Sequence, residues 1–239
     1  MNDAQGSDRP VSLSEMVTDR IQVGDAPRLA IVMLHGYAMQ GSDLAPFAHS
    51  LGVPAVFYVP EAPLHAVPSG RAWWMMDQEK RRVALPTGPR DLATEIPAGA
   101  PAARTLLREL VARVRREHPE LPVALIGFSQ GGMLACDAVL HDAVRVDALA
   151  LLSSSRIDIT EWTRRADRLL GLPVLVSHGE NDDDLAFTAG QALRNFCTAS
   201  GADVTWIPFP EGHAIPLVVW RGIRRFLAGL SPREAPTSP

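Results

Sequence analysis

Four short, unbroken apolar runs, Ala30 to Leu34, Val123 to Ile126, Ala148 to Leu152 and Pro173 to Val176, restrict the fold more than any other feature of the chain. Each is too short for a helix, and none shows the polar alternation of a strand with one wet face. They are therefore expected to be strands buried on both sides, as in a parallel sheet covered by helices. Ala55 to Val59 resembles them, Val204 to Ile207 reads as a last strand near an edge, and Thr18 to Val23 as an outer strand. Patterns of period 3.6 lie between. Ala103, Leu106, Leu107, Leu110, Val111 and Val114 share one helix face that ends near Pro119. Leu185, Thr188, Ala189, Ala192, Leu193 and Phe196 share another, opened by an Asp184 cap and closed before Gly201. A final helix is expected from near Pro216 to before Gly229. This alternation predicts an α/β chain with a doubly wound, mostly parallel sheet and helices on both faces.

At 239 residues and 46% hydrophobic, the chain can bury a sizeable core as one domain over 1–239, with polar, frayed tails at 1–10 and 230–239. A formal charge of −4 argues against nucleic acid or an anionic membrane as partner, since those attract a surplus of Lys and Arg. The local basic clusters, such as Arg113, Arg115 and Arg116, lie mostly in expected helices and read as solvated faces. Cys136 and Cys197 have no metal-ligand spacing and read as small buried apolar residues. The start MNDAQGSDRP lacks a basic stretch followed by an apolar core, and no apolar run approaches the roughly 18 to 20 residues of a membrane span, so a cytoplasmic address is expected.

Gly127-Phe128-Ser129-Gln130-Gly131 closes one buried run and opens a helical stretch through Met133, Leu134, Ala135 and Ala138. A serine at the apex of such a strand-to-helix turn is held in strained backbone angles, and the glycines keep Cβ atoms off the neighbouring strands. The hydroxyl then points out of the sheet edge beside a helix N-terminus. Serine is a poor nucleophile until an imidazole accepts its proton and a carboxylate orients that imidazole. On such a scaffold acid and base follow the serine in that order, at the carboxyl ends of strands. The run ending at Ser177 exits into His178-Gly179-Glu180-Asn181-Asp182-Asp183-Asp184, a loop with several eligible carboxylates. The last strand exits into Glu211-Gly212-His213, and of seven histidines only His213 follows the acid loop.

An oxyanion would need two donors. One is expected from the backbone N–H of Gln130 and the other from that of Tyr37, in the loop Leu34-His35-Gly36-Tyr37. Residues 61–101 hold six prolines and the cluster Trp73-Trp74-Met75-Met76 with little periodicity. Such an irregular loop is expected to form a flap over the serine, with the cluster offering apolar surface to an acyl chain; the alternative, above all for Trp73, is core packing that ties the long loop to the sheet. Met39 and Ile215 are further candidates for that surface, beside Tyr37.

Over about residues 18 to 228 the chain resembles the carboxylesterase/phospholipase family of the α/β-hydrolase superfamily, which includes bacterial carboxylesterases and acyl-protein thioesterases. The resemblance rests on LHGY at Leu34 to Tyr37, GRAWW at Gly70 to Trp74, GFSQGG at Gly127 to Gly132, HGEND at His178 to Asp182 and EGH at Glu211 to His213. It implies the α/β-hydrolase fold, Ser129 as nucleophile, His213 as base, Asp182 as the acid, and Tyr37 as an oxyanion donor. It leaves Asp183 and Asp184 as helix-start carboxylates. It further implies a small-molecule ester or thioester substrate, no cofactor and no metal, and admits a homodimer. Two departures stand out: two more aspartates follow Asp182, and Tyr37-Ala38-Met39-Gln40-Gly41 replaces the usual Gly-rich stretch. The rival readings are a catalytically silent binding protein on the same scaffold, and an acyltransferase or lactonase using the same residues.

Overall fold

In chain order the elements are β1 (Thr18–Val23), β2 (Leu29–Leu34), α1 (Ala45–Leu51), β3 (Ala55–Pro60), β4 (Leu64–His65), β5 (Arg71–Ala72), α2 (Gln78–Ala84) and α3 (Ala100–Glu117). They continue with β6 (Val123–Phe128), α4 (Gln130–Asp142), β7 (Ala148–Leu152), α5 (Ile159–Arg164), β8 (Pro173–Gly179), α6 (Phe187–Ala199), β9 (Asp203–Phe209) and α7 (Leu217–Ala228). The computed structural model describes residues 16–66 and 68–230, so the expected tails lie outside the described residues except for Leu230.

Seven strands form one sheet in the order β1-β3-β2-β6-β7-β8-β9. All neighbours run parallel except β1, which is antiparallel to β3 from Thr18↔Pro60 to Val23↔Ala55. Each of the seven expected strands is present. Successive residues of the buried strands point to opposite faces. Ala30, Val32 and Leu34 enter one core with α3, α4, α5 and α6, whereas Leu29, Ile31 and Met33 enter the other with α1 and α7. That two-sided burial is why these strands carry no polar alternation.

The face expected for α3 is the buried one: Ala103, Leu106, Leu107, Leu110, Val111 and Val114 all lie in the core. The α6 expectation needs correction. The helix starts at Phe187 after Ala186, with no side-chain cap; Ala189 and Leu193 are buried as expected and Phe196 packs against the core, but Thr188 is exposed, Ala192 is half-buried, and Gly190 and Cys197 join the buried set. Two contacts explain the shift. A Cβ on Gly190 would lie 2.4 Å from the His178 ring, so the helix approaches β8 through its glycine. The Asp184 carboxylate, expected to cap the helix, instead pairs with Arg81 and Arg90.

Residues 61–101 contain the β4/β5 hairpin, helix α2 and a 3-10 turn at Leu85–Thr87 before α3 begins. Both cysteines are free and buried; burial raises the Cys136 thiol and pushes that of Cys197 up to about 12, so neither is poised as a thiolate. Among the described residues no helix is long and apolar enough to cross a membrane.

Candidate active site

Strand β6 ends at Phe128 and helix α4 begins at Gln130, so Ser129 alone makes the turn, with φ 53° and ψ −116°. A non-glycine residue there is strained and must be held from outside. Its N–H donates to Leu152 O at 2.8 Å, and its carbonyl accepts the Ser154 hydroxyl at 3.0 Å. The flanking glycines are required by contact. A Cβ on Gly131 would sit 2.3 Å from Leu34 O on the neighbouring strand, and one on Gly127 would sit 2.3 Å from Gly131 O. The second collision is with the opening turn of α4, so this glycine sets the sharpness of the bend.

Two more strand ends meet the turn. The loops after β8 and β9 are joined by Glu180 N–H to Phe209 O at 2.7 Å and Asn181 N–H to Glu211 O at 3.2 Å. Gly179 is in close backbone contact with the second loop, since a Cβ there would lie 2.3 Å from Gly212 O. This joint sets Asp182 beside His213: His213 Nδ1 donates to Asp182 Oδ2 at 2.7 Å, and the Ser129 hydroxyl donates to His213 Nε2 at 3.0 Å. Asp182 Oδ1 accepts the N–H groups of Asp184 at 2.9 Å and Leu185 at 2.8 Å. Asp182 is buried, whereas Asp183 is exposed.

Sequence reasoning missed a second imidazole on this carboxylate. His178, fully buried, has Nε2 3.0 Å from Leu185 O and 3.3 Å from Asp182 Oδ2. An Nε2–H tautomer donates toward both. Burial disfavours the ionised form of Asp182, but the hydrogen bonds from His178 and His213, the charge interaction with His213 and the Leu185 N–H outweigh it and hold the carboxyl well below the usual range.

Ser129, Gln130, Tyr37 and His213 line one cavity of about 250 Å³, together with Met39 and Met76. The Tyr37 loop makes its turn without a glycine at position 38 by placing Ala38 at φ 63°, held by Ala38 N–H to Arg71 O at 2.9 Å and Arg71 N–H to Met39 O at 2.8 Å. The same cavity is walled by Phe128, Met133, Leu92 and Leu185, and by the charged residues Arg81, Arg90 and Asp184. The sequence carries no signal for the two arginines, which lie in its least periodic stretch.

Trp73, Met75 and Ile215 line neither this cavity nor an adjoining one of about 350 Å³, whose wall Trp74 joins. Met75 is exposed, and Ile215 packs against the core on the α1/α7 side. Trp73 and Trp74 are 2% and 3% exposed. Their backbone grips the residue after the serine: Trp73 N–H donates to Gln130 Oε1 at 3.0 Å, and Gln130 Nε2 donates to Trp74 O at 2.8 Å. The Trp73 indole N–H also donates to His35 O at 2.9 Å. The tryptophan pair thus ties the serine turn to the loop after β2.

A comparison with the curated proteins found none that matches. Among solved structures, esterase PE8 superposes with a TM-score of 0.75 at 23% identity, over 89% of this chain and 98% of that one. A carboxylesterase from Mesorhizobium loti gives 0.69 at 19% identity, covering 90% and 95% of the two chains. Acyl-protein thioesterase 2 from Zea mays gives 0.69 at 20%, covering 89% and 97%. At these identities the likeness establishes the α/β-hydrolase fold. The model of the phospholipase/carboxylesterase family matches residues 19–231, and the chain belongs to that family.

Proposed function

We propose that the protein is a serine hydrolase that cleaves carboxylic esters or thioesters through an acyl-serine intermediate. One observation above others supports this: the continuous hydrogen-bonded line from Ser129 Oγ through His213 to Asp182, with contacts of 3.0 and 2.7 Å. Ser129 Oγ attacks the carbonyl carbon while its proton passes to His213 Nε2. The backbone N–H groups of Gln130 and Tyr37 receive the oxyanion. Collapse breaks the bond to the leaving oxygen or sulfur, which takes the proton from His213. Water, deprotonated by the same imidazole, then releases the acid and restores the serine. Asp182 accepts from Nδ1 throughout, so that Nε2 is the basic nitrogen.

The test is covalent labelling by a fluorophosphonate together with steady-state hydrolysis of 4-nitrophenyl esters. The wild-type protein is expected to be labelled at Ser129, and Ser129→Ala to lose labelling and at least about 10³-fold in kcat. Near-normal hydrolysis by that variant would overturn the assignment.

A further inference from the structure

The cavity beside Ser129 is not uniformly apolar. Arg81 and Arg90 both face Asp184 within its wall, so two guanidiniums are set against one carboxylate. Arg81 reaches Asp184 through Nε at 3.4 Å and Nη2 at 3.3 Å, and Arg90 reaches it through Nη2. Among the described residues Arg90 Nε is buried without a hydrogen-bond partner. Arg90 is also fixed through its backbone: its N–H donates to Asp184 O and its carbonyl accepts from Ala186 N–H, both at 2.9 Å. These bonds attach it to the loop that carries Asp182, at a set place relative to the proposed reaction centre. Its side chain is 13% exposed, so the charge is partly desolvated and its field weakly screened. Asp77, Asp91 and Glu95 line the adjoining cavity of about 350 Å³ and not the inner one. Asp91 is moreover paired with Arg156 at 3.3 Å. The two arginines stand where the cavities meet and line both, but in the inner one they face a single carboxylate, Asp184, which leaves that cavity a surplus of positive charge.

We propose, building on the hydrolase reading above, that this cavity selects esters or thioesters bearing a carboxylate a few bonds from the scissile carbonyl, received by Arg81 and Arg90. Guanidinium is the side chain suited to a carboxylate, because its planar fork matches both oxygens. The apolar walls from Met39, Met76 and Met133 accept the short methylene stem. Asp184 holds both arginines in place and moderates their charge, so its removal and theirs act in opposite directions.

The experiment measures kcat/KM by pH-stat for two matched pairs. Monoethyl succinate against ethyl butyrate puts the carboxylate in the acyl part, and 4-acetoxybutanoate against butyl acetate puts it in the alcohol part. In one pair the anionic ester is expected to be preferred by about tenfold, as one charge-assisted contact supplies, and the responsive pair identifies which side carries the anion. Arg81→Gln and Arg90→Gln should each reduce that ratio severalfold, Arg81→Lys should restore part of it, and Asp184→Asn should raise it. Added salt should lower it. Equal or lower turnover of the anionic ester in both pairs overturns the proposal, as does a ratio unmoved by Arg81→Gln, a surface-reaching residue whose loss leaves the Arg90 backbone bonds intact. If none of the four esters is turned over the proposal also falls. Fluorophosphonate labelling of Ser129 then separates the cases: a labelled serine leaves the hydrolase reading standing, and an unlabelled one removes both.

Discussion

Asp182 collects hydrogen bonds from two imidazoles and two backbone N–H groups, and that company distinguishes it from the aspartates that follow. Asp182→Asn is expected to lower kcat by about 10² to 10⁴-fold, because the amide favours the wrong tautomer of His213. Asp183→Asn, at an exposed position, is expected to change kcat by less than about twofold, since isolated surface charges contribute little. Steady-state kinetics of both variants decides; a crippled Asp183→Asn would move the acid by one residue. The loop's carboxylates could not be told apart by spacing alone, since what separates them is the direction each side chain takes once two loops have joined. His35 is a second residue whose state the surroundings dictate. Its Nδ1–H donates to Gly36 O at 2.8 Å while Nε2 accepts from Ala62 N–H at 3.0 Å. Burial lowers its pKa against the smaller upward pull of the Gly36 carbonyl, and one neutral tautomer serves both bonds. In histidine side-chain NMR, His35 is expected to stay neutral as the pH falls through the ordinary imidazole value of about 6.5. A cationic His35 just below that pH would contradict this assignment.

At the scale of elements, the strands were legible because burial on both faces leaves a signature of consecutive apolar residues, and helix α3 because one wet face leaves a period. Helix α6 departs from expectation at its start, at Thr188 and at Gly190, because a glycine against a histidine ring does not register as hydrophobic pattern. The Trp73-Trp74 segment carried a legible signal, large apolar side chains in an irregular stretch, whose meaning depended on partners far away in the chain. Trp73 is nearly fully buried and its indole donates to His35 O. Trp73→Ala is expected to cost about 3 to 5 kcal/mol of stability, as truncation of a buried aromatic does. Urea denaturation measures it, and a loss under about 1 kcal/mol would show that the segment does not brace the serine turn. Arg81 and Arg90 were invisible as site residues because the sheet and α2 must form before they share a cavity.

For the whole molecule, the α/β class and the order of its strands along the chain could be read from alternation, whereas the side-by-side order in the sheet could not, because alternation carries no record of which strands pair. The buried ionisable groups set how the fold responds to acid. His35 has a lowered pKa when folded, so below about pH 6.5 the unfolded chain binds a proton that the folded one refuses, and stability falls with pH until the folded value is reached. Asp182 acts in a separate window: its stabilisation is full above the unfolded value of about 3.9 and is lost as pH falls through the depressed folded value. Denaturant midpoints should therefore begin to drop near pH 6.5, and His35→Gln should flatten that first limb by at most about 1.4 kcal/mol per pH unit. An identical slope in wild type and variant would exclude His35 as the cause. The left-handed backbone of Ser129 bears on the molecule in a different way. Glycine would occupy that turn with less strain, so Ser129→Gly is expected to raise the melting temperature while ending hydrolysis, relief on the order of 1 kcal/mol. The serine is thus a residue that folding alone disfavours, and a lineage in which the reaction no longer mattered would be expected to drift toward glycine at this position early.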